Sequence, residues 1–511
     1  MKWTRRILIG LLIFTGMLIA LWWEENWRGQ KLWEESCARL RAAGEPVEIA
    51  DIIPPMIPDE ENVAAAPIFA ELFGDPEAAR LPKISRSLPT QVGKAIQSGN
   101  RGISPDDLTV LEEYRNDLRE RFPRDVPDTA MSAADEILHY LKRWDVDYQE
   151  MLSALERPRC RWPLDYESGV KMDSPHLVPL VGFTNFMRLR LLALAANDDG
   201  EQYTRNLVAM MKLDRTIGER PQSWLAQLVS NAMATVTFNT WQQTLARVHL
   251  NDEQLKLLQD EVSKYSLESV RLALQNEHVI GAETFRKLSG AEMVEWMDEL
   301  DWMPSANGKA MQEIKRGVFR AGMLLRPQGW TLAEAALGQD FSFDEELPCV
   351  DPVRGVIDAA RVESSRLKGE QLKSSLSWFS MGRHAQNLAT FSSLMERTSR
   401  VHAQARLALL WCAIERCRLR HGKLPPSTEA LVPEFLAALP VDVMSGGAIR
   451  FSPKQGDSYV LYSSSWNRGH IRKSSTDGPA KDDWTWPSEP TLLKTEAEGK
   501  SEPGSTTGRK R

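Results

Sequence analysis

Residues 7–23, ILIGLLIFTGMLIALWW, carry no charged side chain, and their reading decides how the rest of the chain is placed. At about 1.5 Å per residue the run spans roughly 26 Å, close to the hydrocarbon thickness of a bilayer. Lys2, Arg5 and Arg6 precede it, and Glu24 and Glu25 follow it. Positive charge is retained on the cytoplasmic side, so the N-terminus is expected inside and the bulk of the chain across the membrane. Trp3 on one flank and Trp22, Trp23 and Trp27 on the other match the aromatic belts of the two interfaces. A cleaved signal peptide would need a small-x-small site after the run, which instead ends in bulky tryptophans. The expectation is an uncleaved anchor, with a buried globular helix as the remaining alternative.

Beyond the anchor, charge returns at once. Residues 24–43 predict a helix leaving the membrane, stopped by Gly44 and Pro46. Pro54, Pro55 and Pro58 then predict an extended hinge over 53–62, since each proline fixes its own φ and restricts its predecessor. Ser104-Pro105-Asp106-Asp107 reads as an N-cap, a first-turn proline and two acids opening a helix to about 121. A second helix is predicted over 131–154, and 157–179 reads as a loop. Phe183, Met187, Leu191 and Leu194 then recur at helical spacing, as do Tyr203, Leu207, Met210 and Ile217, then Trp224, Leu228, Ala232 and Val236. Asn251-Asp-Glu-Gln254 caps a further helix. Residues 180–196 resemble a second span, but Arg188 and Arg190 interrupt them, so one span is the count. The acidic stretch 340–352 predicts a loop. A long helix over 386–420 follows, stopped by Gly422, Pro425 and Pro426.

The 511 residues leave room for roughly three or four domains. At 42% hydrophobic and 26% charged residues the chain can bury a sizeable core, and a net charge of −7 gives no support for nucleic-acid binding. Five scattered cysteines are too few for a disulfide framework or a zinc cluster. The domain boundaries read as 1–23 stub and anchor, 24–62 juxtamembrane helix and linker, 63–385 helical ectodomain, 386–487 long helix with a terminal module, and 488–511 disordered tail. The fold class is mainly α. It combines a transmembrane helix, an α-helical bundle or loose solenoid, and a small α+β C-terminal module with a β-hairpin.

That terminal module has a particular layout. The long helix runs into GKLPPSTEALVP (422–433), LPVD (439–442), SGGAIRF (445–451) and DSYVLYS (457–463), and closes with Asp477-Gly and Asp482-Asp483. The order resembles the C-terminal part of type II secretion major pseudopilins: helix, G-x-x-P turn, L-V-P segment, D-x-x-G strand, Y-x-L-Y-S strand, Asp-rich loop. The resemblance covers roughly 80 residues. Two features depart from it: more than 350 residues separate anchor from module, and the prepilin-peptidase signature is missing. The whole layout is similar to uncharacterised single-pass envelope proteins of planctomycete and verrucomicrobial bacteria. That resemblance implies a bacterial cytoplasmic (inner) membrane and a periplasmic ectodomain. In major pseudopilins the Asp-rich loop binds calcium, which implies a calcium site at Asp477, Asp482 and Asp483. The alternative for these residues is a solvated polar loop, with Arg472, Lys473 and Lys481 opposing a cation.

Catalytic patterns are sparse. Ser365-Arg-Leu-Lys368 matches S-x-x-K but lacks its partner motifs. His278 beside Glu277 and Glu283 lacks H-E-x-x-H spacing. His402 lies on the apolar stripe of the long helix, and Cys412 and Cys417 diverge by roughly 140° around it. Of 17 tryptophans, Trp466, Trp484 and Trp486 cluster in the terminal module, where a partner surface is one reading and core packing the other. The expected function is a membrane-anchored, non-enzymatic envelope protein acting in protein–protein interaction or assembly, beside a secretion or pilus-like system. The alternative is a periplasmic hydrolase with a dispersed site. A deep polar pocket with clustered His, Asp or Glu favours the enzyme; a broad groove or exposed tryptophan patch favours binding; an apolar cavity favours lipid handling.

Overall fold

The computed structural model describes residues 2–75, 78–88, 109–287, 326–375, 383–454, 458–466 and 483–487, with scattered positions between 291 and 322. The principal helices are α1 (Lys2–Ala42), α2 (Arg80–Ser87), α3 (Thr109–Arg121), α4 (Ala133–Leu141), α5 (Asp145–Ala154), α6 (Leu177–Ala196) and α7 (Gly200–Gly218). They continue with α8 (Trp224–Thr244), α9 (Asp252–Val262), α10 (Glu268–Lys287), α11 (Gln328–Phe341), α12 (Ala359–Ser375) and α13 (Arg383–His421). Among the described residues, two small antiparallel sheets complete a mainly helical chain.

The helices begin where the sequence supplies side-chain acceptors. Asp199 accepts from the Gln202 amide at the head of α7, and Ser223 from the Ala226 amide at the head of α8. Asn251 and Gln254 cap each other's backbone at the head of α9. These contacts satisfy amide groups that have no partner inside the helix. Gly422, at φ +68°, ends α13 in the left-handed conformation that glycine adopts without steric cost.

α6 sits at the centre of the body, packed by α2, α4, α7 and α8, and Phe183, Phe186, Met187 and Leu191 are fully buried. Arg188 and Arg190, which break its apolar run, are themselves buried; Arg190 pairs with Asp145 at 3.0 Å and lies over the Tyr148 ring. α1 behaves differently. Its apolar half is exposed along its whole length, whereas Gly29, Trp33, Ser36, Cys37 and Leu40 form a buried stripe against α11. The backbones meet at Gly29 and Gly329, where a side chain on either would collide with the other helix. Around this crossing Asn26 Oδ1 accepts from the Gly329 amide, Trp330 Nε1 donates to Glu25, and Arg39 pairs with Asp340 and Asp344 at 2.6 and 3.1 Å.

Three local expectations are corrected. The helix predicted over 131–154 is two helices separated by a 3-10 turn, Lys142–Trp144, with Trp144 off helical geometry. There Arg143 lies over the Phe122 ring and pairs with Asp125, so tertiary contacts override helix propensity. The acidic stretch 340–352 is ordered rather than a loop: a wide turn Ser342–Glu346, a 3-10 turn Leu347–Cys349, and strand β1 (Val350–Asp351) paired with β2 (Val356–Ile357). Its acids have defined partners, Arg39 for Asp344, Lys368 for Glu345 and Ser342 for Glu346. The predicted hinge 53–62 is clamped at both ends by carbonyls, Pro54 to Arg161 and Asp59 and Asn62 to Arg157, and Asn62 is buried.

In the terminal module β3 (Arg450–Pro453) pairs with β4 (Tyr459–Ser463), with Phe451 opposite Leu461, and β4 pairs with β5 (Trp484–Trp486), with Leu461 opposite Trp486. β4 and β5 pack on α13, so Ile449, Leu461 and Trp486 join the same core as α6, α7 and α8. The cap at 104–107 and the segment 488–511 lie outside the described residues.

Candidate functional site

The site is built where α7, α8, the turn after α9, the start of α10 and α13 converge. They enclose a cavity of about 300 Å³ lined by Asp214, Gln227, Asn231, Tyr265 and His402, with Arg220 and Leu272 at its edge. Arg220 and Leu272 also line a broader outer cleft of about 650 Å³, walled by Glu45, Ile52 and Pro54 from the segment that follows α1 and by Tyr166 from a 3-10 turn, Tyr166–Lys171. Arg220 and Leu272 thus border both spaces.

Helical periodicity places the lining groups. Gln227 and Asn231, four apart on α8, share one face, and Gln227 donates to Asn231, which donates to Thr398 on α13 at 2.8 Å. Tyr265 donates its hydroxyl to Asp214 Oδ2 at 2.5 Å, and the Ser230 hydroxyl donates to the Asp214 carbonyl. Glu261 receives Arg215 and, at 2.8 Å, Lys264.

Burial sets the protonation states. It raises the Asp214 carboxyl well above the usual carboxylate range, against the lowering effect of the Tyr265 hydrogen bond and nearby Arg215. It raises Tyr265 as well, with the Asp214 charge adding to the effect. His402 is lowered to about 3, by burial first and the Arg406 charge second, so its imidazole is neutral at ordinary pH. Removing a charged form from water is the common cause. Asp214 Oδ1, Arg215 Nε, Gln227 Oε1 and His402 Nδ1 are buried without a hydrogen-bond partner in the structure. Their residues all contribute to the cavity lining, but these four atoms themselves have almost no accessible surface and lie behind it.

The residues singled out by sequence lie mostly elsewhere. Trp486 is fully buried, edge-on to Trp241 with ring centres 5.3 Å apart, which leaves it no face for a partner. Trp484 and Trp466 are half-buried and pack against the core cluster around Trp224 and Phe391. Asp477 and Asp482 lie outside the described residues, and Asp483 directly precedes β5. Among the described residues no three His, Cys, Asp or Glu side chains meet in a way that could hold a metal. Ser365 is fully buried with an unpartnered hydroxyl, while Lys368 reaches Glu345 at 2.7 Å, so the two do not form a serine–lysine pair. Glu277 accepts from the Trp224 amide and Glu283 from Arg286, rather than converging on His278. Cys412 and Cys417 are buried free thiols.

His402 is the one residue of the cavity that the sequence reading had singled out. Asp214 and Tyr265 escaped it because 51 positions separate them and no local motif links them. Comparison with protein-family profiles, curated protein sequences and solved structures finds no match to this chain.

Proposed function

We propose that this chain is a single-pass protein of a bacterial cytoplasmic membrane, N-terminus inside and helical bundle outside, that works by binding rather than turnover. The observation that supports it best is the division of α1. Its first half is apolar, exposed and long enough to cross a bilayer, and its second half is packed on α11 through a glycine–glycine crossing. A helix built this way holds the body at a defined height and orientation above the membrane. The outer cleft and inner cavity then give the body a binding surface reached from the aqueous side. Association with a secretion or pilus-like system, a protein partner and a calcium-holding terminal loop rest on the likeness of the terminal module alone.

A second reading, a periplasmic hydrolase, draws on Asp214 and His402 lining one cavity, with Glu261 held just behind it by Arg215 and Lys264. Against it, His402 is held far below the range of a general base, and the hydroxyl that does meet a carboxylate there, Tyr265 on Asp214, is raised well above its ordinary range by burial. Alkaline carbonate washing of membranes from a Gram-negative host, followed by protease treatment of spheroplasts, tests the anchored reading. The chain should stay in the pellet and lose its body only when protease reaches the periplasm. Release by carbonate, or protection of the body in intact spheroplasts, would contradict it.

A further inference from the structure

We infer that the outer cleft binds a small molecule bearing one oxyanionic group, carboxylate or phosphate, on an apolar body. The oxyanion is held by Arg161, Arg220 and the Tyr166 hydroxyl. This deepens, and rests on, the binding role proposed above. Three features of the cleft carry it.

The first is unmatched positive charge. Both acids on the cleft wall are already taken: Glu45 by Arg271 and by Gln275 at 2.6 Å, and Asp51 by the Val47 and Glu48 amides at 3.0 and 2.9 Å. Arg41 is paired with Glu48. Arg220, on the rim shared with the inner cavity, forms no ion pair among the described residues, and neither does Arg161. Glu219 and Glu268 border the inner cavity rather than the cleft. The second feature is placement. Arg161 donates Nε to the carbonyl of Pro54, a wall residue, at 3.0 Å, and its amide donates to Asn62 Oδ1 at 2.8 Å. These bonds fix its guanidinium beside the cleft.

The third is Tyr166. This residue is only 5% exposed and lines the cleft, yet its hydroxyl keeps accessible surface and takes no hydrogen-bond partner among the described residues. Burial pushes the hydroxyl up to about 12, against the lowering charges of Arg161 and Arg220, so it remains a donor at ordinary pH. No carboxylate is among the charges that act on it. Both guanidinium groups therefore lie close enough to this hydroxyl to share a guest with it. Two planar cationic forks and one hydroxyl donor suit the paired oxygens of an anion, and offer nothing comparable to a cation or a neutral amide.

The rest of the lining sets the body of the guest. Ile52, Ile53, Pro54, Pro55 and Leu272 give the cleft an apolar wall, and its volume of about 650 Å³ is that of an ordinary small-molecule pocket. A bare inorganic ion would leave this wall in water, whereas an apolar body attached to the anion covers it and tightens the hold.

The test is calorimetric titration of the full-length chain in phosphatidylcholine nanodiscs. The probes are N-acetylleucine, phenyl phosphate, acetate and the neutral N-acetylleucinamide. Saturable heat is expected with N-acetylleucine or phenyl phosphate, and the tighter of the two names the head group. Acetate and the amide should bind at least about tenfold more weakly. R220Q should weaken the preferred anion about tenfold and Y166F about threefold, the losses expected for a charged and a neutral hydrogen bond. Both variants should keep a thermal midpoint within a few degrees of the parent, since neither side chain is hydrogen-bonded to a described residue. R354Q, on the turn between β1 and β2, removes a cation that does not line the cleft and should change nothing. Nanodiscs containing phosphatidylglycerol separate the sources of the anion. Unchanged affinity there supports a soluble guest, and competition supports a lipid phosphate in the same site. Absence of binding by either anion, equal binding of the amide, or heat unchanged in both R220Q and Y166F would overturn the inference. Membrane retention and protease accessibility are read on the same preparations. A chain that stays anchored with its body outside but binds no anion removes the inference and leaves the anchored reading standing. A chain that binds the anion but washes off the membrane does the reverse.

Discussion

Among the described residues two helices are apolar enough to cross a membrane, and the structure treats them in opposite ways. In α1 none of the apolar window is buried by the protein; in α6, 72% of it is. Composition does not separate them. Arg188 and Arg190 do: a cation in the middle of a lipid-facing helix is costly, but Arg190 here has Asp145 and the Tyr148 ring as neighbours. Apolar length makes a helix insoluble on its own, and the polar groups within the run decide whether protein or lipid covers it.

The largest effect that would break this comparison is at Phe183. Truncation to Ala should cost about 3–5 kcal/mol of body stability because the side chain is fully enclosed, and denaturant unfolding monitored by tryptophan fluorescence reads it. The matching change in α1, Ile13→Ala, should leave body stability within about 0.5 kcal/mol, because Ile13 touches no protein neighbour. Equal losses at the two positions would end the distinction.

Next in size is the pH dependence at the docked end of α1. Glu346, beside the turn that follows α11, is raised to about 7, chiefly by burial. Its folded value exceeds its unfolded one, so the folded state holds the extra proton. Stability from this group is then lost as pH rises from about 4.5 to 7, by on the order of 3 kcal/mol. E346Q should therefore match the parent near pH 4.5 and exceed it at pH 8, as measured by urea midpoints across that range. A constant offset between the two proteins would contradict the burial account.

A smaller effect is expected at the helix crossing. G29L forces a side chain into the α11 backbone and should cost about 1–3 kcal/mol, localised to the contact between α1 and α11. Limited proteolysis should show earlier cleavage near residues 40–50 while the fragment containing α6 to α9 stays intact. Smallest is Arg190→Leu, which removes an ion pair that is only partly enclosed. A loss of about 1 kcal/mol is expected, from equilibrium unfolding.

Much of the fold was legible because its signals are local. The apolar run, the 3.6-residue stripes of α6 to α8, the Asn251–Gln254 cap and the glycine ending α13 each occupy a few neighbouring residues. The docking of α1 was less so, although Gly29, Trp33, Cys37 and Leu40 do recur at helical spacing; what they pack against lies some 300 positions away. Strand β5 stayed hidden for a related reason, since Trp484-Thr-Trp486 is too short to announce a strand until β4 pairs with it. The cavity was the least legible feature. Asp214, Gln227, Tyr265 and His402 come from separate elements, and each alone reads as an ordinary buried polar residue.

The division of α1 into a lipid-covered and a protein-covered half is the claim on which the rest depends, and amide hydrogen exchange on the full-length chain in nanodiscs tests it most directly, with the chain lacking residues 2–23 as the comparison. Residues 7–23 should be protected in the lipid-bound chain, and residues 25–42 should be protected equally in both proteins, because α11 covers them with or without a membrane. Fast exchange of 25–42 once the apolar run is removed would show that lipid, and not α11, holds that half of the helix, and would contradict the account.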